Sequence, residues 1–202
     1  VGKYFKVVDG DDWVNTSDFV KLVNRLENTE SEYVFTNYYE YYDDVNHQKA
    51  VDFPQFKNGT EYDFADVAKE LCIPMHALTI KTSVLKDNNI VIDEKCFYVD
   101  VEYVMFPVPF VNKVTFFDLH VYMYRLALST QSVSILGFQK HINDHLRVTF
   151  HMFDFYRDYI SSDKADSAKA DYMKNCIADL IITQGAIYSS YPDSDMENRK
   201  RF

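Results

Sequence analysis

The chain opens on a short apolar run, Tyr4-Phe5-Lys6-Val7-Val8, that stops at Asp9. β-formers fill four of its five positions, which predicts a buried strand near the centre of a sheet. Phe19, Val20, Leu22, Val23 and Leu26 then recur at three- and four-residue spacing, one apolar face of a helix. Thr16, Ser17 and Asp18 offer N-cap chemistry just ahead of them, so a helix is predicted over 17–28. Tyr33 to Tyr39 is rich in β-branched and aromatic residues and predicts a strand. The polar stretch 40–60 ends in the turn pair Asn58-Gly59 and reads as a loop or an excursion hairpin.

Further along, Phe64 to Leu71 predicts a short helix, Ala77 to Lys81 an extended segment, and Ser83 to Lys86 a helical turn closing at Asn88-Asn89. Phe97 to Phe106 fits either type, and Pro107 and Pro109 end whatever precedes them. Val114 to Leu126 is a long β-prone stretch. Helical periodicity returns over 138–160, through Phe138, Ile142, His145, Leu146, Phe150 and Phe153, and again over 164–188. From Pro192 the chain is polar, a tail expected to fray. The pattern is mixed α/β with its helices gathered late.

With 202 residues, the chain is long enough for one domain with a real core. Its 16 Tyr and 16 Phe exclude a disordered protein. A net charge of −10 repels phosphate backbones, so no nucleic-acid partner is expected. Cys72, Cys96 and Cys176 are odd in number, far apart and without a CxxC pair, which fits a reduced, cytoplasmic compartment. No apolar run is long enough to predict a membrane span. The aromatic stretch Phe150 to Tyr159 suits peripheral membrane contact, though Asp154 and Asp158 within it oppose insertion.

Chemistry concentrates at Asp9-Gly10-Asp11-Asp12-Trp13, directly after the first apolar run. Open α/β sheets bind ligands beyond the carboxyl ends of their strands. Three carboxylates in four residues repel one another unless a cation neutralises them, and Asp9 and Asp11 can offer oxygen to one hard divalent ion, Mn²⁺ or Mg²⁺. A calcium loop of the EF-hand type fails, because Val14 and Val20 stand where Gly and Glu are needed. Two readings compete with a metal site. One is a haloacid-dehalogenase-like phosphatase with Asp9 as nucleophile, and the other is a solvated turn capping the next helix. Outside this cluster, His76 is a candidate third metal ligand or acceptor contact, and His141 and His145 share a helix face where a zinc pair is conceivable.

Three segments carry a resemblance. Gly2 to Val14, reading GKYFKVVDGDDWV, is similar to the strand-plus-DxD segment of family 2 glycosyltransferases with the GT-A fold. Phe97 to Tyr103 resembles that family's acidic block, with Val99 where its Glu stands. Tyr122-Met123-Tyr124-Arg125, followed by Gln131-Ser132-Val133-Ser134, resembles a third segment of the family.

The resemblance implies transfer of a sugar, with inversion, from a nucleotide-diphosphate sugar (a UDP-sugar above all) to a hydroxyl of a carbohydrate or lipid-linked acceptor. It implies a Mn²⁺ or Mg²⁺ ion held by Asp11 and Asp9, and a base at Asp100 with Glu102 as its rival. On a helix those two residues point about 200° apart, so only one can face the sugar. Asp12, Trp13, His76, Tyr124, Arg125 and Gln131 are the expected donor or acceptor contacts.

The expected organisation is a partial GT-A domain at 1–135, a C-terminal helical extension at 136–190 and a flexible tail at 191–202. The sheet should be an incomplete GT-A type mixed sheet flanked by helices, lacking its N-terminal nucleotide-binding strands. That chain alone should bind donor poorly and be inactive, with an exposed sheet edge through which copies could pair. The phosphatase and a non-catalytic interaction domain stay as alternatives.

Overall fold

The computed structural model describes residues 2–126, 132–192 and 195. Seven strands form one mixed sheet: β1 (Tyr4–Phe5), β2 (Trp13–Val14), β3 (Tyr33–Tyr42), β4 (His47–Val51), β5 (Thr60–Asp63), β6 (Leu78–Lys81) and β7 (Lys113–Leu126). The helices are α1 (Thr16–Leu26), α2 (Phe64–Val67), α3 (Thr82–Asp87), α4 (Asp100–Met105), α5 (Ile135–Lys140), α6 (Ile142–Ile160) and α7 (Ser167–Ser189). A 3₁₀ turn spans Val108–Phe110. The sheet runs β1-β6-β3-β7-β2, with β4 added to β3 and β5 to β7. β3 and β7 pair in parallel, and the other pairs are antiparallel.

Side-chain alternation on β3 and β7 sorts the core into two layers. Tyr33, Phe35, Val114 and Phe116 face the layer made with α2, α4, α6 and α7. Val34, Phe117, Leu119 and Val121 face the other way, onto Leu22 of α1. α7 enters the first layer through Tyr172, Met173, Ile177 and Leu180, so the late helices share their core with the sheet.

Two expectations change in detail. The apolar run at 4–8 gives only two residues of strand, at the sheet edge rather than its centre. After Phe5 the backbone leaves the ladder, and the Lys6 amine takes over. It donates to the carbonyls of His76 at 2.7 Å and Leu78 at 3.0 Å. The cap of α1 is Asn15, one residue ahead of the expected group, whose Oδ1 accepts the Asp18 amide. The stretch after Tyr39 is the hairpin alternative, with β3 running to Tyr42 and returning as β4. Asn58-Gly59 does turn the chain, with Gly59 at φ +71°. Phe97 to Phe106 resolves as a loop leading into the helix α4.

Leu22 is 1% exposed, while Val20 on the same helix is 53% exposed. Leu22→Ala is expected to cost about 3 kcal/mol in chemical denaturation. Val20→Ala should stay within about 0.5 kcal/mol of the parent.

Candidate functional site

The acidic turn begins where the chain leaves the sheet. The Asp12 amide donates to the Asp9 carbonyl, closing a turn at 3.1 Å. Tyr122 of β7 then fastens it. The Tyr122 hydroxyl donates to Asp12 Oδ2 at 2.6 Å and accepts the Asp9 amide at 3.1 Å. The Arg125 amide adds a bond to Asp12 Oδ1 at 2.8 Å. Burial raises the Asp12 carboxyl above its ordinary range, against the lowering effect of these two donors, and Asp11 and Asp9 push it the same way as burial. Asp9 is raised by burial and by Asp11. A Cβ on Gly10 would meet nothing within 4 Å, so the glycine faces open space.

His76 lies opposite the turn in an aromatic box. Its ring stacks on Tyr124 at 3.8 Å and meets Tyr122 edge-on at 5.0 Å, with Tyr38 at 5.6 Å. Burial, with the Lys6 charge beside it, lowers its pKa to about 4. The ring is therefore neutral at physiological pH, the form that can ligate a metal. One carboxylate oxygen each of Asp9 and Asp12 and one ring nitrogen of His76 lie within 4.8 Å of one another. Burial also pulls Lys6 down to about 7.

Asp100 opens α4 and reaches the same place from 90 residues away. Asp9, Asp11, His76, Asp100 and Tyr124 line one cavity of about 580 Å³. Burial raises the Asp100 carboxyl, and the charge of Asp9 adds to the shift. Two acids far apart in sequence thus feel each other across the cavity.

Glu102 goes elsewhere. It is fully buried, accepting the Asp93 amide at 2.8 Å and His151 Nδ1–H at 2.9 Å. Asp93 in turn pairs with Arg147 at 2.8 Å. The helical turn separates the two acids as the 200° geometry requires, sending Asp100 to the cavity and Glu102 to α6. Asp93, Glu102 and His151 also converge closely enough for a metal. Arg147 already supplies positive charge there, so the group is a structural ion-pair network.

Strand alternation divides the other expected contacts. Tyr122 and Tyr124 share the cavity face of β7, so Arg125 takes the opposite face. There its guanidinium lies 5.2 Å over the Trp13 ring, which meets Tyr41 edge-on at 5.2 Å. Trp13 and Arg125 are therefore not cavity residues. They brace the edge of β7, and Asp12 is tied into the same edge. Gln131 lies outside the described residues, while the adjoining Ser132 lines the cavity. The conceivable zinc pair separates too. His145 is buried with Nδ1 on Gln184 Oε1 at 2.6 Å, and His141 packs on Phe97 at 3.8 Å.

The sequence reading missed the helical wall of the cavity. Phe97, Tyr98, Phe138, His145, Leu180 and Thr183 complete it. Periodicity marks Phe138 and His145 as inward-facing but says nothing of whether core or cavity receives them. Tyr98 gives no sequence signal, yet its φ of +68° is costly for an aromatic residue.

No family model matches the sequence, and no curated protein matches it. Solved structures of S. aureus TarS residues 1–349 do match in fold. The form in complex with UDP-GlcNAc aligns with TM-score 0.61 at 16% identity, over 98% of this chain and 55% of that one. The form without a named ligand gives 0.60 at 14% identity, over 98% and 53%. The complex with UDP gives 0.53 at 14% identity, over 96% and 52%. The chain thus spans about half the length of these neighbours. With its curled mixed sheet flanked by helices, it has a partial GT-A-like glycosyltransferase fold.

The two acids of α4 should separate in stability measurements. Glu102→Ala removes a fully buried acceptor from two part-buried donors and is expected to cost about 3 kcal/mol, roughly 6–12 °C in Tm for a domain of this size. Asp100→Asn should leave Tm equal or higher, because a carboxyl whose pKa is raised in the fold destabilises it when ionised at neutral pH.

Proposed function

We propose that this chain carries the metal-holding and proton-accepting part of a site that transfers a sugar, with inversion, from a UDP-sugar to an acceptor hydroxyl. One observation carries the reading: Asp100 lines the same cavity as Asp9 and Asp11 although the sequence puts it about 90 residues away. The fold neighbours support it, because one was crystallised with UDP-GlcNAc and another with UDP.

Asp9, Asp12 and His76 would hold the ion, with Asp11 as the outer carboxylate at the cavity mouth. Two oxygens and one neutral imidazole suit Mn²⁺ better than Mg²⁺, which prefers an all-oxygen set. The raised pKa values of Asp9 and Asp12 fit this use, since crowded carboxylates are relieved by a cation. A divalent cation held by these residues would supply positive charge to offset that of a departing diphosphate. Tyr122 keeps the acidic turn in place, and the His76–Tyr124 stack fixes the imidazole. Asp100 takes the proton of the acceptor hydroxyl, and its raised pKa makes it a stronger base than a free aspartate. Approach of the acceptor from the Asp100 side, opposite the leaving diphosphate, would invert the anomeric centre.

The sheet gives the phosphatase alternative little support. That chemistry places its nucleophile at the end of a central parallel strand, whereas β1 is an antiparallel edge strand ending at Phe5. Among the described residues, no helix is long and apolar enough to cross a membrane. The cytoplasmic location, any peripheral membrane contact through α6 and any pairing at the β1 edge belong to the same proposal.

In a form of the protein that transfers sugar, Asp100→Asn should lower transfer from a UDP-sugar about 10²–10⁴-fold, while Mn²⁺ binding by calorimetry is kept in the 202-residue chain. In Asp9→Asn both should be lost. Hydrolysis of p-nitrophenyl phosphate that disappears in Asp9→Asn, with no sugar transfer in the parent chain, would move the assignment to the phosphatase.

A further inference from the structure

The cavity has two walls of different chemistry. The acidic turn, His76 and Tyr124 form one, and Asp100 stands at its border with the other. The second wall comes from the loop before α4 and from the late helices, through Phe97, Tyr98, Phe138, His145 and Leu180. We propose that this second wall seats the acceptor, and that the acceptor is a neutral polyhydroxylated molecule, a saccharide or polyol without phosphate groups. This rests on the glycosyltransferase reading and adds to it the class of the second substrate.

Charge is the first argument. Asp9, Asp11 and Asp100 line the cavity, and no Lys or Arg does so among the described residues. A phosphate-bearing acceptor would meet three carboxylates and, among the described lining residues, no Lys or Arg to receive it, and like charges brought together repel. In the proposed reaction a cation at Asp9, Asp12 and His76 would be taken up by the donor's diphosphate and would not offset this.

The second argument is shape. Tyr98 and Phe138 stack with centroids 5.0 Å apart and planes 13° from parallel. The Tyr98 hydroxyl donates to the Ser132 carbonyl at 3.0 Å, which locks the ring against the wall. The positive φ of Tyr98 sets that ring two residues before Asp100. Flat aromatic surface beside hydrogen-bonding groups suits the C–H faces and hydroxyls of a sugar ring.

His145 supplies the third. It forms part of the wall though only 1% exposed, and Gln184, itself fully buried, accepts from its Nδ1–H. That bond fixes the tautomer, so Nε2 carries a lone pair. Nε2 makes no hydrogen bond among the described residues. Burial keeps the ring neutral. A neutral acceptor atom recognises a hydroxyl donor and offers nothing to a phosphate oxygen.

The test is an NMR titration of the 202-residue chain, observing the His145 ring signals. The probes are a panel of neutral disaccharides of differing linkage, together with glucose 6-phosphate and glycerol 3-phosphate. At least one neutral disaccharide should shift the His145 signals saturably, and the phosphorylated compounds should bind at least tenfold more weakly. Phe138→Ala and His145→Phe should each weaken that disaccharide tenfold or more while leaving Mn²⁺ affinity unchanged. Phe138 is part-exposed, so its variant keeps the test decisive if His145→Phe fails to fold by circular dichroism. Phosphorylated probes binding as tightly, unmoved His145 signals, or no disaccharide binding would overturn the proposal. Disaccharide binding without Mn²⁺ binding would instead sink the metal-site reading and leave this one standing.

Discussion

Tyr122 ties the acidic turn to the sheet, and the candidate site depends on that tie. Its hydroxyl donates to Asp12 and accepts from the Asp9 amide, so one side chain sets both ends of a turn crowded with negative charge. Burial, and after it the neighbouring acids, raise the Asp9 and Asp12 carboxyls. Without the bonds from Tyr122 and the Arg125 amide, mutual repulsion would favour spreading the three carboxylates into solvent. With them, the acids stay at the cavity, opposite a neutral His76 held by stacked tyrosines.

The same logic joins sheet to helix. α4 is short, but its one turn assigns opposite work to two acids. Asp100 faces the cavity, and Glu102 anchors the helix to Asp93 and to His151 of α6. The anchor is fully buried and the working group is partly buried at the cavity, which is the arrangement expected when packing must fix the orientation of a reactive side chain. The late helices then close the cavity, giving it an uncharged aromatic wall beside an acidic one.

Most of the elements were legible in the sequence because their periodicity is strong. The apolar face of α1 and the β-prone runs of β3 and β7 appear within a few residues of where the pattern puts them. The apolar run at 4–8 misled, because apolarity alone does not separate a central strand from an edge strand whose lysine leaves the ladder to bind carbonyls. At the site, the clustering of Asp9 to Asp12 was plain, and the geometry of α4 could be argued in advance from helical spacing. Trp13 and Arg125 stand next to site residues in sequence, yet alternation along β7 puts them on the face away from the cavity, which adjacency in sequence does not show. Tyr98, Phe138 and His145 could not be read as cavity residues, because three distant segments meet to make that wall.

Paramagnetic broadening by Mn²⁺ tests the central claim most directly. Two places in the described chain bring three potential ligands together: Asp9, Asp12 and His76, and the group of Asp93, Glu102 and His151. The account predicts that substoichiometric Mn²⁺ first erases the NMR signals of Asp9 to Asp12, His76 and Asp100. Signals of Asp93 and His151 should outlast them. Broadening that starts at Asp93 and His151, or that spreads evenly over exposed acids, would contradict it.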